Sequence, residues 1–517
     1  MDNNKTVTAY SKGNGGRAIL LFLLFSIAIL NFMSSGYSAF IAVMCIPAIA
    51  LVAYFMFSRK MAMFYTLFIV NTVVMFIARH FPPPVPVSMI NELFELMLIG
   101  MVLIDHWRFH LTRLINLMFL CTFLWCLFCC IEIFNDQCGL GIDIYRWYTG
   151  ARLMSMQLLY AFVVTTLFID TPKKVMNILF IWAIFILFAA IWLWKQKNIG
   201  MTEAEKRFLM SSPAHIMGGK TRYFSCFTDA ANFGIHTAVA SAAFLIIAVT
   251  MKIKRIRLFF AITGCIGIWA FFGSGTRTAL FCFIAAIMVF IVLSKNKKII
   301  ISVGVIFLVF VYILAFTKIG NSNDNIRRMR TAFDKEDASL GVRDQNKATL
   351  RKYMVDAPWG VGIGLENGDV PAFNKFKLIT QVPPDSEYVY IWVRTGVVGI
   401  TVFCILNAVM FLGACWIVFF RLKNISIRGV GAAYTAAFIG MHLGGYANQI
   451  LMQFPNVLIY YGGLATVYLL PYIENEWNDW EAKLLAEQEE RRRLKLEKKR
   501  ASRVETLCNN GQLQRTA

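Results

Sequence analysis

Long apolar runs separated by short polar connections are the feature of this sequence that most constrains its fold. A membrane-crossing helix needs about 20 consecutive, mostly apolar residues, and runs of that length recur along most of the chain. Hydrophobic residues make up 58% of the 517 residues and charged residues only 16%, whereas soluble domains contain about 25% charged residues. We therefore predict an all-α polytopic membrane protein.

The apolar runs predict about fourteen transmembrane helices, with roughly twelve to fourteen as the range. The predicted spans are 18–33, 39–57, 62–78, 89–104, 114–133, 153–169, 175–194, 230–250, 257–273, 277–294, 297–317, 396–420, 429–448 and 454–473. The predicted regions are an N-terminal segment (1–17), a first group of spans (18–317), a large loop (318–395), a second group of spans (396–473) and a charged helical tail (474–517).

The distribution of Lys and Arg among the short connections predicts the orientation, since cytoplasmic connections retain basic residues. Alternate connections are basic, as at 59–60, 252–257 and 295–298, whereas the connection at 34–38 is uncharged. We predict that both termini are cytoplasmic and that the large loop is exported. The formal net charge of +21 then follows mainly from membrane topology, and we do not expect a nucleic-acid partner.

The large loop is far longer than ordinary connections, and long loops are usually functional, although a passive spacer is the alternative. Arg343, Lys347 and Arg351 recur every fourth residue, so on a helix they form one basic stripe. Such a stripe suits phosphate oxygens, but it also fits a merely solvated helix face. The run WGVGIG that follows (359–364) allows close backbone approach or positive φ angles.

Charged residues near the predicted spans collect at the exported ends. They are Glu92, Glu95, Glu132, Asp136, Asp229 and Arg277. Transporters tend to place ionisable residues near the bilayer midplane, whereas this asymmetry favours a site at the membrane boundary. A substrate with a lipid tail in the bilayer and a polar head outside would suit it. Each position taken singly also fits a place where a charge costs little.

Two further features leave alternatives open. Cys138 and Cys226 fall in predicted exported segments, where a disulfide between them is an option. The tail is acidic first and then basic from 491 to 503. It fits a solvated helix that satisfies the positive-inside bias, and it also fits attraction to anionic lipid.

The CxxC at 126–129 has no second pair at metal-site spacing, so we predict no metal site.

The order of motifs resembles the O-antigen ligase and polymerase superfamily. The matching segments are GSGTRTALF at a span start, the loop helix with its arginines, DAPWGVGIG, and DSEYVYIWVRTGVVGI leading into the next span, with RYFSCFTDAANFG as a looser upstream match. The resemblance implies an integral-membrane glycosyltransferase of the type C fold in the bacterial inner membrane. It implies transfer of a glycan from an undecaprenyl-pyrophosphate carrier at the periplasmic face, without metal or cofactor.

One departure from the family pattern concerns Asp385. Ligases of this family have a His at the start of the terminal motif, where this chain has Asp385. The aspartate form resembles polymerases of O-antigen, capsule or exopolysaccharide. We therefore predict a polymerase of lipid-linked oligosaccharide repeats. The alternatives are an O-antigen ligase that transfers glycan to lipid A core, a lipid-linked glycan flippase, and a structural membrane subunit.

The chemistry assigns roles to the polar residues. A carboxylate can accept the proton of an attacking hydroxyl, and fixed guanidinium groups can stabilise a departing pyrophosphate. We predict Asp385, with Glu387 as a second carboxylate, as the base or as a clamp on the acceptor, and Arg277 as the main pyrophosphate contact. The predicted substrate-binding residues are Arg222, Arg343, Lys347, Arg351 and Arg394. The resemblance implies an acceptor glycan or glycolipid, membrane lipid and a chain-length regulator as partners.

Overall fold

The computed structural model describes most of the chain beyond its first predicted spans. The described residues are 58–82, 87–212, 215–217, 220–319, 326–327, 330, 338–365, 369–382 and 385–513. Residues 65–517 form one compact unit, and residues 1–64 form another, of which only the last few are described. The predicted spans 18–33 and 39–57 therefore lie outside the described residues.

Helices account for nearly all of the regular structure in the described part of the chain. They are α1 (Lys60–His80), α2 (Val87–Ile104), α3 (Leu117–Ile131), α4 (Ile144–Phe168), α5 (Pro172–Asn198), α6 (Glu203–Ser211), α7 (Ala230–Thr250), α8 (Lys254–Gly273), α9 (Arg277–Leu293), α10 (Lys297–Phe316), α11 (Ala338–Met354), α12 (Lys377–Gln381), α13 (Glu387–Trp416), α14 (Ile425–Ala447) and α15 (Asn456–Leu513). Two-residue strands, β1 (Ile216–Met217) and β2 (Lys220–Thr221), pair antiparallel.

The helices agree with an all-α membrane fold. Among the described residues, ten helices are long and apolar enough to cross a membrane, and α9 is a shorter apolar helix. Each predicted span from 62–78 onward has a helix at its position. The count of fourteen stays a prediction. The bounds differ most for the predicted span 454–473, because α15 continues to Leu513. Helix α13 also begins before the predicted span 396–420, at Glu387, and so includes most of the terminal motif.

The centre of the bundle is α7. In the most apolar stretch of α7, 89% of the residues are buried, whereas only 6% are buried in Lys297–Leu314 of α10. Helix α10 therefore lies at the periphery. Helix α7 packs against α8, α9 and α14. Gly440 and Gly444 of α14 lie against Val239 and Ile235 of α7, because small residues permit the close helix approach on which membrane packing depends.

A second hydrophobic core lies above the start of α13. We call it the cap core, and it joins the segment after α3 to the large loop. Its buried residues are Cys138, Leu350, Met354, Ala357, Val361, Leu365, Phe376, Ile379, Val389 and Val393. The apolar face of α11 contributes Leu350 and Met354, as the sequence pattern of that helix predicts. The large loop is therefore packed on the first turns of α13.

The glycine run of the large loop fits into a break in α13. Gly396 has a φ of 67°, outside the helical region, and interrupts the helix. The N–H groups of Val361 and Gly362 donate to the carbonyls of Val393 and Arg394 at 2.9 and 3.0 Å. The loop thus satisfies backbone groups that the break would leave unpaired. The close backbone approach expected for the glycine run occurs here.

Candidate functional site

The terminal motif places Asp385 at the N-terminus of α13. Ser386 caps this helix, since its Oγ accepts hydrogen bonds from the N–H groups of Tyr388 and Val389 at 3.2 and 3.4 Å. Asp385 is half-buried, and its Oδ2 accepts a hydrogen bond of 2.8 Å from Asn346 Nδ2 of α11. The carboxylate is therefore oriented by the same helix that contains the basic stripe.

Two residues of the basic stripe lie along one wall of a cleft. Lys347, adjacent in sequence to Asn346, places its Nζ 4.8 Å from the ring centroid of Tyr446 at the end of α14. Lys347 and Arg351 line a cleft of about 740 Å³, together with Trp392 and other residues of α13. The wall formed by α11 has three basic residues, Lys347, Arg351 and Lys352, and one acidic residue, Asp344, whereas the wall formed by α13 is apolar. The cleft therefore suits an amphipathic ligand that bears phosphate.

The two other loop arginines of the predicted set lie in different settings. Arg343 is half-buried one turn before Lys347 on α11. Arg394 lies over the ring of Tyr390, 5.3 Å from its centroid. Its Nη1 is buried and has no hydrogen-bond partner among the described residues, so this atom keeps a donor for a ligand.

Glu387 has a different environment from that of an exposed base. Its side chain is 0% exposed, and its Oε2 accepts a hydrogen bond of 2.9 Å from the backbone N–H of Leu451. The neighbouring N–H groups of Ile450 and Met452 also face this carboxylate. Glu387 therefore attaches the start of α13 to residues 448–455, which we call the bridging loop.

Arg222 contacts the residue that precedes Arg277 at the start of α9. Arg222 Nη2 donates to Thr276 Oγ1 at 3.0 Å, and this hydroxyl donates to the carbonyl of Ala230 at 2.8 Å. Thr276 is the N-cap residue of α9 and Arg277 is its first residue. The GSGTR motif thus joins the upstream RYFS segment to the first turn of α7.

The bridging loop connects this arginine pair to the terminal motif. Gln453 Oε1 accepts a hydrogen bond from Thr228 Oγ1. Directly after the loop, Asn456, the first residue of α15, donates from its Nδ2 to Asn232 Oδ1 of α7 at 2.8 Å. The loop is thus bound on one side to the segment after Arg222 and on the other to Glu387. Both halves of the predicted site therefore lie at the same end of the bundle.

Other polar residues near this end have structural roles. His215, the lone histidine of its segment, is 8% exposed, and its Nε2 accepts from the N–H of Ala230 at 3.3 Å. Its burial lowers the pKa of the imidazole. Cys138 and Cys226 are both free thiols. Within the described residues, no group of three or more His, Cys, Asp or Glu side chains could hold a metal ion.

Sequence reasoning missed three polar residues of this site. Asn346 orients Asp385, and the hydroxyl of Tyr388 shares a hydrogen bond of 3.0 Å with Nδ1 of His442. Tyr388 lies inside the quoted terminal motif, so its chemistry was visible in the sequence. His442 could not be identified in the same way, since only the packing of α14 against α13 brings it to Tyr388.

A buried ion pair joins α4 to α2. Arg152 Nη1 and Glu92 Oε2 are 3.4 Å apart, with both side chains under 10% exposed. Glu95, one turn further along α2, is 0% exposed and accepts a hydrogen bond of 3.0 Å from Asn91. Both glutamates, which the sequence predicts at the outer end of a span, are buried between helices.

Comparison with known proteins supports the family resemblance. Residues 262–404, a little over a quarter of the chain, match the family model described as O-antigen ligase. The matched segment includes α9 with Arg277, the large loop and the terminal motif, but not Arg222. A search of curated proteins finds no match to the chain. Residues 262–404 are therefore similar to the O-antigen ligase family, a similarity that implies a glycosyltransferase-like membrane enzyme acting on lipid-linked glycans.

Proposed function

We propose that the protein polymerises oligosaccharide repeats linked to undecaprenyl pyrophosphate at the periplasmic face of the bacterial inner membrane. The observation on which this rests is the hydrogen bond to Asp385 from Asn346, on the same helix whose Lys347 and Arg351 line a cleft against apolar residues of α13. The family match supports the reaction class. The aspartate in place of the ligase histidine supports polymerisation over transfer to lipid A core.

In the proposed reaction, an acceptor hydroxyl oxygen attacks the anomeric carbon of the donor glycan. The bond from that carbon to the pyrophosphate oxygen breaks, and the hydroxyl proton passes to the Asp385 carboxylate. Arg277 and Arg222 stabilise the negative charge that develops on the departing pyrophosphate. Lys347 and Arg351 hold phosphate at the cationic wall, while Trp392 lies on the apolar side that suits a polyprenyl chain. Arg343 and Arg394 add further cations near the terminal motif.

The test compares Asp385→Asn and Arg277→Ala with a control in purified, reconstituted protein. Loss of a base typically costs about 10²–10⁴-fold in rate, and loss of an electrostatic contact about 10²–10³-fold. Lys375→Ala is the control, because its ion pair with Asp356 is exposed and should contribute little. Long glycan on intact lipid carrier is the expected wild-type product. Normal polymer from both variants would refute the assignment.

A flippase is the second candidate, and the buried Glu92–Arg152 pair is the observation in its favour. The two functions differ in the side of the membrane on which short lipid-linked units accumulate in a null strain. A polymerase defect leaves them in the periplasm, whereas a flippase defect leaves them in the cytoplasm. Formation of glycan attached to lipid A core by the purified protein would instead favour the ligase.

A further inference from the structure

The last helix continues far beyond the bundle, and its first polar stretch is bound to neighbouring connections. Three hydrogen-bond acceptors of α15 are spaced seven residues apart and therefore lie on one helix face. They are Glu474, Glu481 and Gln488. Glu474 Oε1 accepts from the N–H groups of Lys423 and Asn424, each at 2.7 Å. Gln488 Oε1 accepts from the N–H of Lys254 at 3.1 Å.

Glu481 is the middle acceptor of this series and is 3% exposed. It accepts from Lys252 Nζ at 3.0 Å, from Asn424 Nδ2 at 2.8 Å and from the hydroxyl of Ser426. The connections before α8 and before α14 are thus both bound to α15. This part of the tail is fixed to the protein rather than solvated on all sides.

A basic cleft of about 500 Å³ follows directly after these contacts. It lies between the start of α8 and the next turns of α15. Its cationic lining residues are Lys254, Arg255, Arg491, Arg492 and Lys495, and Glu489 is the acidic one. Within the described part of the chain, none of these cations forms an ion pair. The docked helix therefore holds five cations around the cleft with a single carboxylate to offset them.

The position of the cleft indicates what neutralises it. Lys254 and Arg255 are the first two residues of α8, a candidate membrane span, so the cleft lies where that span meets the membrane surface. Leu496 adds an apolar side chain to its lining. The guanidinium group of an arginine binds two phosphate oxygens at once, in a bidentate manner. We propose that this cleft is a binding site for the phosphate headgroup of an anionic membrane lipid.

The test uses the purified full-length chain in neutral detergent, with thermal stability measured as lipid is added. The arms are phosphatidylglycerol, phosphatidylcholine and inorganic phosphate at equal phosphate concentration. We expect phosphatidylglycerol to stabilise the protein at the lowest concentration. Equal effects of the two lipids would overturn the proposal, and equal potency of inorganic phosphate would overturn the lipid as the ligand.

Two matched triple variants separate this site from diffuse charge. Arg491→Gln/Arg492→Gln/Lys495→Gln removes three cleft cations, at about 1 kcal/mol each. It should weaken the apparent affinity for phosphatidylglycerol at least about tenfold. The control, Lys483→Gln/Arg493→Gln/Lys498→Gln, removes the same charge from residues of the same helix that do not line the cleft. It should change the affinity less than about twofold, and an equal loss in both would refute the proposal.

Glu481→Gln provides an independent check on the fixed geometry. This change makes the tail more positive, so attraction by charge alone predicts tighter binding of the anionic lipid. It also weakens the contact that holds α15 to Lys252 and Ser426, so a preformed site predicts weaker binding. We expect a loss of about three- to tenfold, and tighter binding would contradict a preformed site.

Discussion

The backbone N–H of Val398 donates a hydrogen bond of 3.3 Å to the carbonyl oxygen of Pro358. This contact joins the glycine run of the large loop to α13 immediately after the break at Gly396. A regular helix would direct that N–H to the carbonyl of Arg394, which instead accepts from Gly362. The loop thus substitutes for a missing helical turn inside the terminal motif.

Gly396→Ala should destabilise the folded protein. A Cβ at this position would clash with the Pro358 carbonyl, and the backbone conformation, with φ 67° and ψ −168°, costs a non-glycine residue about 1–3 kcal/mol. We expect a lower melting temperature in detergent and loss of polymer. Gly341→Ala is the matched control, since a Cβ added at Gly341 of α11 would meet nothing within 4 Å and alanine favours helix by about 0.5–1 kcal/mol. Equal melting temperatures for the two variants would argue against the role of the break.

Asn346→Leu should slow catalysis without unfolding the protein. The change removes the hydrogen bond that orients Asp385, and a misplaced catalytic group can cost about 100-fold in rate. We expect kcat to fall while KM changes little, measured with lipid-linked oligosaccharide and reconstituted enzyme. Asn346→Gln, which keeps an amide donor, should recover part of the rate. A variant that changes KM alone would place Asn346 in substrate binding instead.

Glu387→Ala should affect stability more than chemistry. The substitution leaves the buried N–H of Leu451 without its acceptor, which costs about 1–3 kcal/mol. We expect a lower melting temperature, with the turnover of the remaining folded protein close to that of the wild type. If the folded fraction instead loses activity as completely as Asp385→Asn, Glu387 would be the base.

Cys138 should remain unreactive in the native protein. Burial raises the pKa of its thiol to about 11, so only about one thiol in a thousand is ionised at pH 8. Alkylation of a variant that retains Cys138 alone should be slow until denaturant is added, as followed by mass spectrometry. Rapid native labelling, or a Cys138–Cys226 disulfide in the wild-type chain, would contradict the buried free thiol.

Much of the helical framework follows from local sequence, because each span is an apolar run of membrane-crossing length and each described run forms a helix at its position. The stripe containing Lys347 and Arg351 was visible for the same reason, since the spacing of four matches the helical repeat. These features depend on residues close together in the chain, so no knowledge of packing is needed to predict them.

The remaining features depend on contacts between distant segments. Asp385 and Glu387 are two positions apart and both acidic, yet one is half-buried beside Asn346 and the other is enclosed by the bridging loop. Their different environments come from α11 and from residues 450–452, and a linear pattern does not specify which segment covers which side chain. The sequence also does not predict the docking of α15 through Glu481, because the charged pattern of this helix fits full exposure to solvent equally well when its partners, such as Lys252, are unknown.

The seam between the glycine run and α13 has a consequence for protein engineering. A chimera that exchanges only the large loop between relatives would join a foreign 358–362 segment to the native 393–398 segment. The backbone N–H and C=O groups of the foreign loop would then have to form hydrogen bonds with a break in the helix that comes from another protein. Loop exchanges should therefore place their downstream junction after Gly399, so that the loop and the helix segment that receives it are transferred together.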